Sequence, residues 1–271
     1  MISAVVLTHN DETVLERCLL SIAWCDEIVV VDDESTDGTV EIAKRSGANV
    51  YRRKLNDDFA AQRNFGLEKA KGPASTRGGS STRGGEWVLF VDSDEEVSPE
   101  LAAEIASSSA SWRTPRNDNL KGYYIKRKDF FLGKWLEHGE TGNIRLLRLA
   151  RKNTGAWREP VHEVWDVKGP VGEMTHPILH YPHPSVAQFL GQINYYSTLR
   201  AKYLYSQKVR PSLWQILVYP KAKFLVNYFF RLGFYDGTAG FIVAMMMSFH
   251  SFLVRVKLYA LTFYTKDTRT M

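Results

Sequence analysis

Asp92-Ser93-Asp94-Glu95-Glu96 puts four carboxylates into five positions, directly after the unbroken apolar run Trp87–Val91. Carboxylates that close repel one another, so the cluster suits a divalent cation held by oxygen ligands better than an empty loop. The plainer reading is a solvated acidic turn ahead of a helix, because Ser98-Pro99-Glu100 is a good helix start. Two more polar clusters of the same kind favour the cation. Thr8-His9-Asn10 follows the apolar stretch Ile2–Leu7, and Asp32-Asp33-Glu34 follows Glu27–Val31.

Such groups act together only if a fold brings them to one place. Trp87–Val91, rich in valine and aromatics, reads as a strand buried on both faces. Ile2–Leu7, Glu27–Val31 and Asn49–Arg53 read as three more strands. Val14, Leu15, Cys18, Leu19 and Ile22 mark one helical face, and Thr39–Arg45 and Phe59–Lys71 read as further helices. Strands alternating with helices predict an α/β fold with a mostly parallel, doubly wound sheet. The carboxyl ends of three strands then open on one edge, where such sheets bind ligands, and the three polar clusters converge there. Past a helix at Ser98–Ser109 the pattern changes to short strands at Tyr123–Lys126, Arg145–Arg148, Val161–Val167 and Ile178–Tyr181, a small mixed region. It carries His138, Glu159, His162, Glu163, His176, His180 and His183, whose spacings match no metal-binding signature.

With 271 residues, 44% apolar and 24% charged, the chain has the make-up of one globular domain or of one domain with an appendage. A formal net charge of +5 conceals a split. Residues 186–271 hold 11 of the 35 basic residues, 2 of the 30 acids and 19 of the 34 aromatics. Basic charge joined to aromatic rings points to an anionic membrane surface, with nucleic acid the weaker alternative. Residues 1–185 are therefore assigned to the α/β domain and 186–271 to a helical appendage at the membrane interface. Pro211, Pro220 and Gly233 divide that appendage into three helices. Its longest apolar run, Ala239–Phe249, falls well short of the roughly 20 residues that span a bilayer, so it is expected to lie in the interface, with an ordinary helical subdomain packed on the sheet as the plainer reading.

Residues 73–85 contain Ser-Thr-Arg-Gly-Gly twice and read as a flexible loop. Arg77 and Arg83 could make it a lid over an anion, but a tolerated duplication at the surface is the favoured reading. Cys18 and Cys25 on one helix would lie about 10 Å apart, too far for a disulfide. The start of the chain lacks a basic segment and a long apolar run, so a cytoplasmic location is expected.

Neither a Gly-x-x-x-x-Gly-Lys-Ser/Thr nor a Gly-x-Gly-x-x-Gly pattern occurs, which argues against a P-loop enzyme or a dinucleotide oxidoreductase. Four blocks instead resemble family-2 glycosyltransferases of the GT-A fold across residues 1–110. They are Val5-Val6-Leu7-Thr8-His9-Asn10, Val31-Asp32-Asp33-Glu34-Ser35-Thr36-Asp37-Gly38-Thr39, Gln62-Arg63-Asn64-Phe65-Gly66 and Val91-Asp92-Ser93-Asp94-Glu95. Pro160-Val161-His162-Glu163 and residues 227–237 are similar to the bacterial β-1,4-glucosyltransferase-like branch that extends lipopolysaccharide inner core. The chain departs from that family at 73–85, where relatives run straight from helix to strand.

The resemblance implies an inverting transfer of a hexose, such as glucose, from a UDP-sugar to a glycolipid or cell-envelope glycan at the inner face of the cell membrane. Thr8, Asn10 and Asp32 would hold the nucleotide, Arg63 its diphosphate or sugar, and Asp92 the ribose or the metal. Asp94 would ligate Mg2+ or Mn2+. Arg63 reads equally well as a surface cation of its helix. Glu163 is the expected general base, with Glu159 its rival and a structural ion pair the plain alternative. A polyprenyl-phosphate glycosyltransferase and a non-catalytic nucleotide-sugar-binding protein are the competing functions. No nucleic-acid partner is expected.

Overall fold

The computed structural model describes residues 1–70, 87–111, 119–182 and 185–264. The stretch 73–85, with Arg77 and Arg83, and His183 lie outside the described residues. The chain divides into two compact units, Met1–Arg127 with Arg145–His180, and Lys128–Ile144 with Tyr181–Met271.

The first unit opens as the sequence pattern predicts. Strand β1 (Ile2–Thr8), helix α1 (Leu15–Ser21), β2 (Glu27–Asp32), α2 (Thr39–Arg45), β3 (Asn49–Arg52), α3 (Phe59–Lys69) and β4 (Trp87–Asp92) alternate. β1 pairs in parallel with both β2 and β4, and β2 with β3. Val5, Val29, Val30, Val31, Leu89, Phe90 and Val91 are fully buried, as strands covered on both faces must be. Gly66 permits α3 to lie close on this sheet, since a Cβ there would fall 2.5 Å from Cγ1 of Val5. That close approach carries Arg63, one turn earlier on α3, down to the end of β4.

The chain continues through β5 (Glu95–Val97), α4 (Pro99–Ser111), β6 (Gly122–Phe131), β7 (Lys134–Trp135), β8 (Arg145–Arg151), β9 (Gly155–Arg158), β10 (Val164–Val167), β11 (Val171–Glu173) and β12 (Ile178–His180). The main sheet runs in the order β3-β2-β1-β4-β8-β6-β12-β5, so the sheet turns antiparallel at β8. One alternative falls and one expectation is corrected here. Glu95–Val97 forms a strand and not the solvated turn of the plainer reading, because it pairs antiparallel with β12 and buries Glu95. The strand expected at Val161–Val167 begins only at Val164, because Glu159 and His162 take left-handed backbone conformations, with φ of 65° and 61°. β10 pairs instead with β9, which the sequence pattern did not reveal.

The second unit is mainly helical, with α5 (Val186–Ser206), α6 (Leu213–Leu225) and α7 (Gly237–Phe263). Residues 128–144 group with these helices rather than with the first unit. Phe131 and Leu136 share an apolar cluster with Phe189, Ile193, Val243 and Met246. The Asp236 carboxylate accepts from the backbone N–H groups of Glu137 and His138 and lies 3.1 Å from Nδ1 of His138. Pro220 does not end a helix as expected but sits inside α6, which runs on through a single π turn at Val226–Phe230. The break comes instead at Leu232, whose φ is 60°. The length argument against a bilayer span is also corrected. Gly233–Phe263 is a 31-residue segment whose most apolar 18-residue stretch has a mean hydropathy of 1.6, long and apolar enough to cross a membrane by length and composition.

Candidate active site

The carboxyl edge of the parallel strands gathers the polar clusters. Thr8 stands opposite Asp32 in the β1–β2 register and Leu7 opposite Asp92 in the β1–β4 register. Asp11 ties two of the strand ends together, accepting from the hydroxyls of Thr8 at 2.8 Å and Ser93 at 2.7 Å. Asn10, left-handed at φ 53°, ties in the third. Its side-chain oxygen accepts from the backbone N–H of Thr36 at 2.8 Å, and its own N–H donates to Oγ of Ser35. The Asp32 carboxylate is wholly buried, accepts from the N–H of Ser35 and lies 3.5 Å from Nε of Arg52. Contact between Asp32 and a nucleotide therefore requires that this turn open, whereas Asn10 is already exposed.

Asp92, at the end of β4, lies between two buried guanidinium groups. Arg63 donates from Nη2 to Oδ1 at 2.8 Å, and Arg148 from Nη2 to Oδ2 at 2.5 Å. Burial alone would raise the Asp92 carboxyl, but Arg148 and Arg63 outweigh it and hold the group far below the ordinary carboxylate range. Arg63 is not a surface cation of its helix; it is 4% exposed. Its Nε donates to Oε1 of Glu163 at 2.7 Å, and its guanidinium lies 4.8 Å from the Trp157 ring centre. Its Nη1 is buried with no hydrogen bond among the described residues.

Arg148 also reaches Glu95, whose other carboxylate oxygen accepts the backbone N–H of Asp92 at 2.9 Å. Burial pushes the Glu95 carboxyl up and the Arg148 charge counters it only in part. Arg148→Met is expected to destabilise the fold by about 3–5 kcal/mol, the usual result of leaving a buried carboxylate without its partner. Urea unfolding measures this, and a loss below about 1 kcal/mol would show that the pair does not hold the site together.

The residues differ in their fitness for a cation. Both oxygens of Asp92 are taken by guanidinium groups, so coordination there would have to displace one of them. Asp94 needs no such displacement. Its Oδ2 lies 3.3 Å from Nε2 of His180, and its Oδ1 makes no hydrogen bond among the described residues. Burial opposes ionisation of Asp94, but His180 overcomes it and keeps the carboxyl below its ordinary value. One carboxylate beside one imidazole is a fitting partial ligand set for Mg2+ or Mn2+, with a diphosphate to supply the remaining oxygens. Among the described residues, no cluster of three or more metal-ligating side chains forms without such a ligand.

The glycosyl transferase family 2 model matches residues 3–152. The chain belongs to that family. The match runs from β1 to the end of the β8 region and so includes Thr8, Asn10, Asp32, Arg63, Asp92, Asp94 and Arg148, with Glu163 and His180 beyond it. Among relatives of this family-2 glycosyltransferase, the lipopolysaccharide core biosynthesis glycosyltransferase LpsC of Rhizobium meliloti is 29% identical over 95% of this chain and 92% of its own length. An uncharacterized glycosyltransferase of Rickettsia typhi, RT0209, is 28% identical over 98% of this chain and 89% of its own. The fold is shared with the mannosyltransferase PcManGT of Pyrobaculum calidifontis, solved in complex with GDP-Man and Mn2+. The TM-score is 0.50 at 12% identity, covering 95% of this chain and 86% of that one. The GT-A-like architecture expected of the family-2 glycosyltransferase is thus observed.

Sequence reasoning gave no role in the site to Arg148, to His180 or to the aromatic cluster of Phe90, Trp157 and Trp165, whose ring centres lie 4.9–5.3 Å apart. One signal was present. Arg148 interrupts the apolar run Leu146–Ala150, and a cation inside a buried strand demands acidic partners. For His180 there was none, because its partner lies 86 positions away in the chain.

Proposed function

We propose that this chain is an inverting hexosyltransferase that moves glucose or another hexose from a UDP-sugar to a glycolipid, extending a lipopolysaccharide core at the inner face of the cell membrane. The observation that carries the reading is the contiguous set Asp94, Asp92, Arg63 and Glu163 at the carboxyl edge of a family-2 sheet. The acceptor class is supported by the extent of likeness to LpsC, named for lipopolysaccharide core biosynthesis.

In this reading Thr8 and Asn10 hold the nucleoside, Asp32 joins them once its turn opens, and Asp92, oriented by two guanidinium groups, accepts from the ribose. Asp94 with His180 would hold Mg2+ or Mn2+, which as a Lewis acid stabilises charge on a departing diphosphate. Arg63, whose buried Nη1 has no hydrogen bond among the described residues, would turn that N–H toward a diphosphate oxygen. Glu163 takes the proton from the acceptor hydroxyl as that oxygen bonds to the anomeric carbon, and the sugar–phosphate bond breaks on the opposite side. A single displacement inverts the anomeric centre. Left-handed Glu159 and His162 fix the loop that presents Glu163, and the N–H of Phe59 donates to the Pro160 carbonyl at 3.0 Å to anchor it.

The test is a panel of nucleotide sugars with Mg2+ and Mn2+, offered core-truncated lipopolysaccharide or a polyprenyl phosphate. Transfer from a UDP-hexose to the truncated core, with an inverted linkage by NMR, is the expected result. Transfer to the lipid phosphate alone would replace the acceptor, and no turnover of any sugar nucleotide would overturn the proposal.

A further inference from the structure

The helical unit shows an apolar face that its own described residues leave uncovered. No residue of α6 is buried. Leu213, Trp214, Leu217 and Leu225 are exposed along it, Trp214 at 71%, and Phe229 and Phe230 extend the face through the π turn, Phe230 at 80%. α7 adds a second exposed row at Phe241, Met245, Phe249 and Phe252, spaced so as to share one side of a helix. The two helices are packed together, with Phe224 edge-on to Phe241 and the Arg255 guanidinium 4.4 Å from the Tyr219 ring centre. A contiguous apolar patch of this kind marks an interaction surface.

Charge identifies what covers it. Between Ser185 and Tyr264 the only acid is Asp236, which is 3% exposed and bonded to His138 and two backbone N–H groups. The same stretch carries nine lysines and arginines, among them the exposed Lys208, Arg210, Lys221 and Arg231. Aromatic rings, cations and no exposed acid match anionic lipid headgroups above an acyl boundary. A second copy of the chain would bring like charges together instead.

The depth follows from α5. Lys257 of α7 donates from Nζ to Oδ1 of Asn194 and Oγ of Ser197, both at 2.8 Å, and to Oγ1 of Thr198 at 2.7 Å. Phe189 and Ile193 of α5 share an apolar cluster with Val243 and Met246 of α7. A crossing α7 would therefore draw α5, with Gln188, Gln192, Asn194, Arg200 and Lys202, into hydrocarbon, where each such group is costly.

We infer that α6, its π turn and the outer row of α7 lie in the plane of an anionic bilayer surface, with α7 not crossing it. The inference rests, for its biological sense, on the reading of a lipid-borne acceptor, and its test is read separately from sugar transfer.

The full chain is sedimented with phosphatidylcholine vesicles with and without phosphatidylglycerol, at low and high salt. Recovery with the phosphatidylglycerol vesicles, weakened by salt and released by alkaline carbonate, is expected. Trp214→Ser combined with Phe230→Ser, and separately Lys221→Glu combined with Arg231→Glu, should each lower the partition coefficient by about tenfold or more. Wild-type recovery in the supernatant at low salt, or unchanged partition of both variants, would overturn the inference. Resistance to carbonate would replace it with a spanning helix. A lipid-free dimer that Trp214→Ser with Phe230→Ser dissociates would give the face to a second copy. UDP-sugar hydrolysis in detergent by the same proteins reports on the transferase proposal, independently of where the protein sediments.

Discussion

Glu163→Gln is expected to lower kcat by roughly 10²–10⁴ while leaving UDP-sugar affinity near wild type, the loss typical of removing a general base. The substitution preserves the local structure, because the amide oxygen still accepts from Nε of Arg63, which donates to Oε1 at 2.7 Å. What it removes is the ability to take a proton. Oε2 of Glu163 makes no hydrogen bond among the described residues, so one oxygen is left for an acceptor hydroxyl. Glu159 is the natural control, being exposed and on the same loop. Turnover and donor affinity are measured for Glu163→Gln and Glu159→Gln side by side. Normal turnover by the first with slow turnover by the second would move the base to Glu159. A fall in unfolding midpoint that matched the lost activity would make the Arg63–Glu163 pair purely structural.

Asp94→Asn is expected to lower metal-dependent transfer by roughly 10²–10³, the scale on which a single electrostatic contributor to a charged transition state acts. Asparagine keeps the shape and loses the charge that a cation requires. Stability should change little, since Asp94 makes one 3.3 Å contact, to His180. Asp92, by contrast, is locked by two guanidinium groups. Calorimetric titration of Mn2+ in the presence of UDP checks the assignment directly: weaker binding by Asp94→Asn is expected. Wild-type turnover at limiting metal would remove Asp94 from the ligand set.

Much of the catalytic half was legible in the chain. The apolar runs Ala4–Leu7, Ile28–Val31 and Trp87–Val91, inside the strands expected at Ile2–Leu7, Glu27–Val31 and Trp87–Val91, suit strands covered on both faces, and they recur in β1, β2 and β4. Helices between them dictate parallel strands, and parallel strands put Thr8, Asp32 and Asp92 on one edge. Local pattern was weaker past α4. β9 and β10 are four residues each, shorter than any period can mark, and Glu95–Val97 becomes a strand only through pairing with β12.

In the helical tail, Pro220 misled because its neighbours carry the helix through the site where its N–H is missing. The longest strongly apolar run, Ala239–Phe249, understated α7 because serine, histidine and two cations beyond it sit on a helix that stays apolar on average.

The sequence by itself determined which acids stand at strand ends and hence where a diphosphate and its cation would meet the sheet. That follows from periodicity and connection rules, which act over tens of residues. Only the tertiary structure decided how those acids are partnered. It brought Arg63 and Arg148 onto Asp92, left one oxygen of Asp94 unbonded beside His180, and set Glu163 against Arg63 from a loop 100 residues away. Those pairings join side chains that no local pattern couples. They are set by Gly66 letting α3 close on β1 and by the antiparallel return of β8 and β12 across the strand ends.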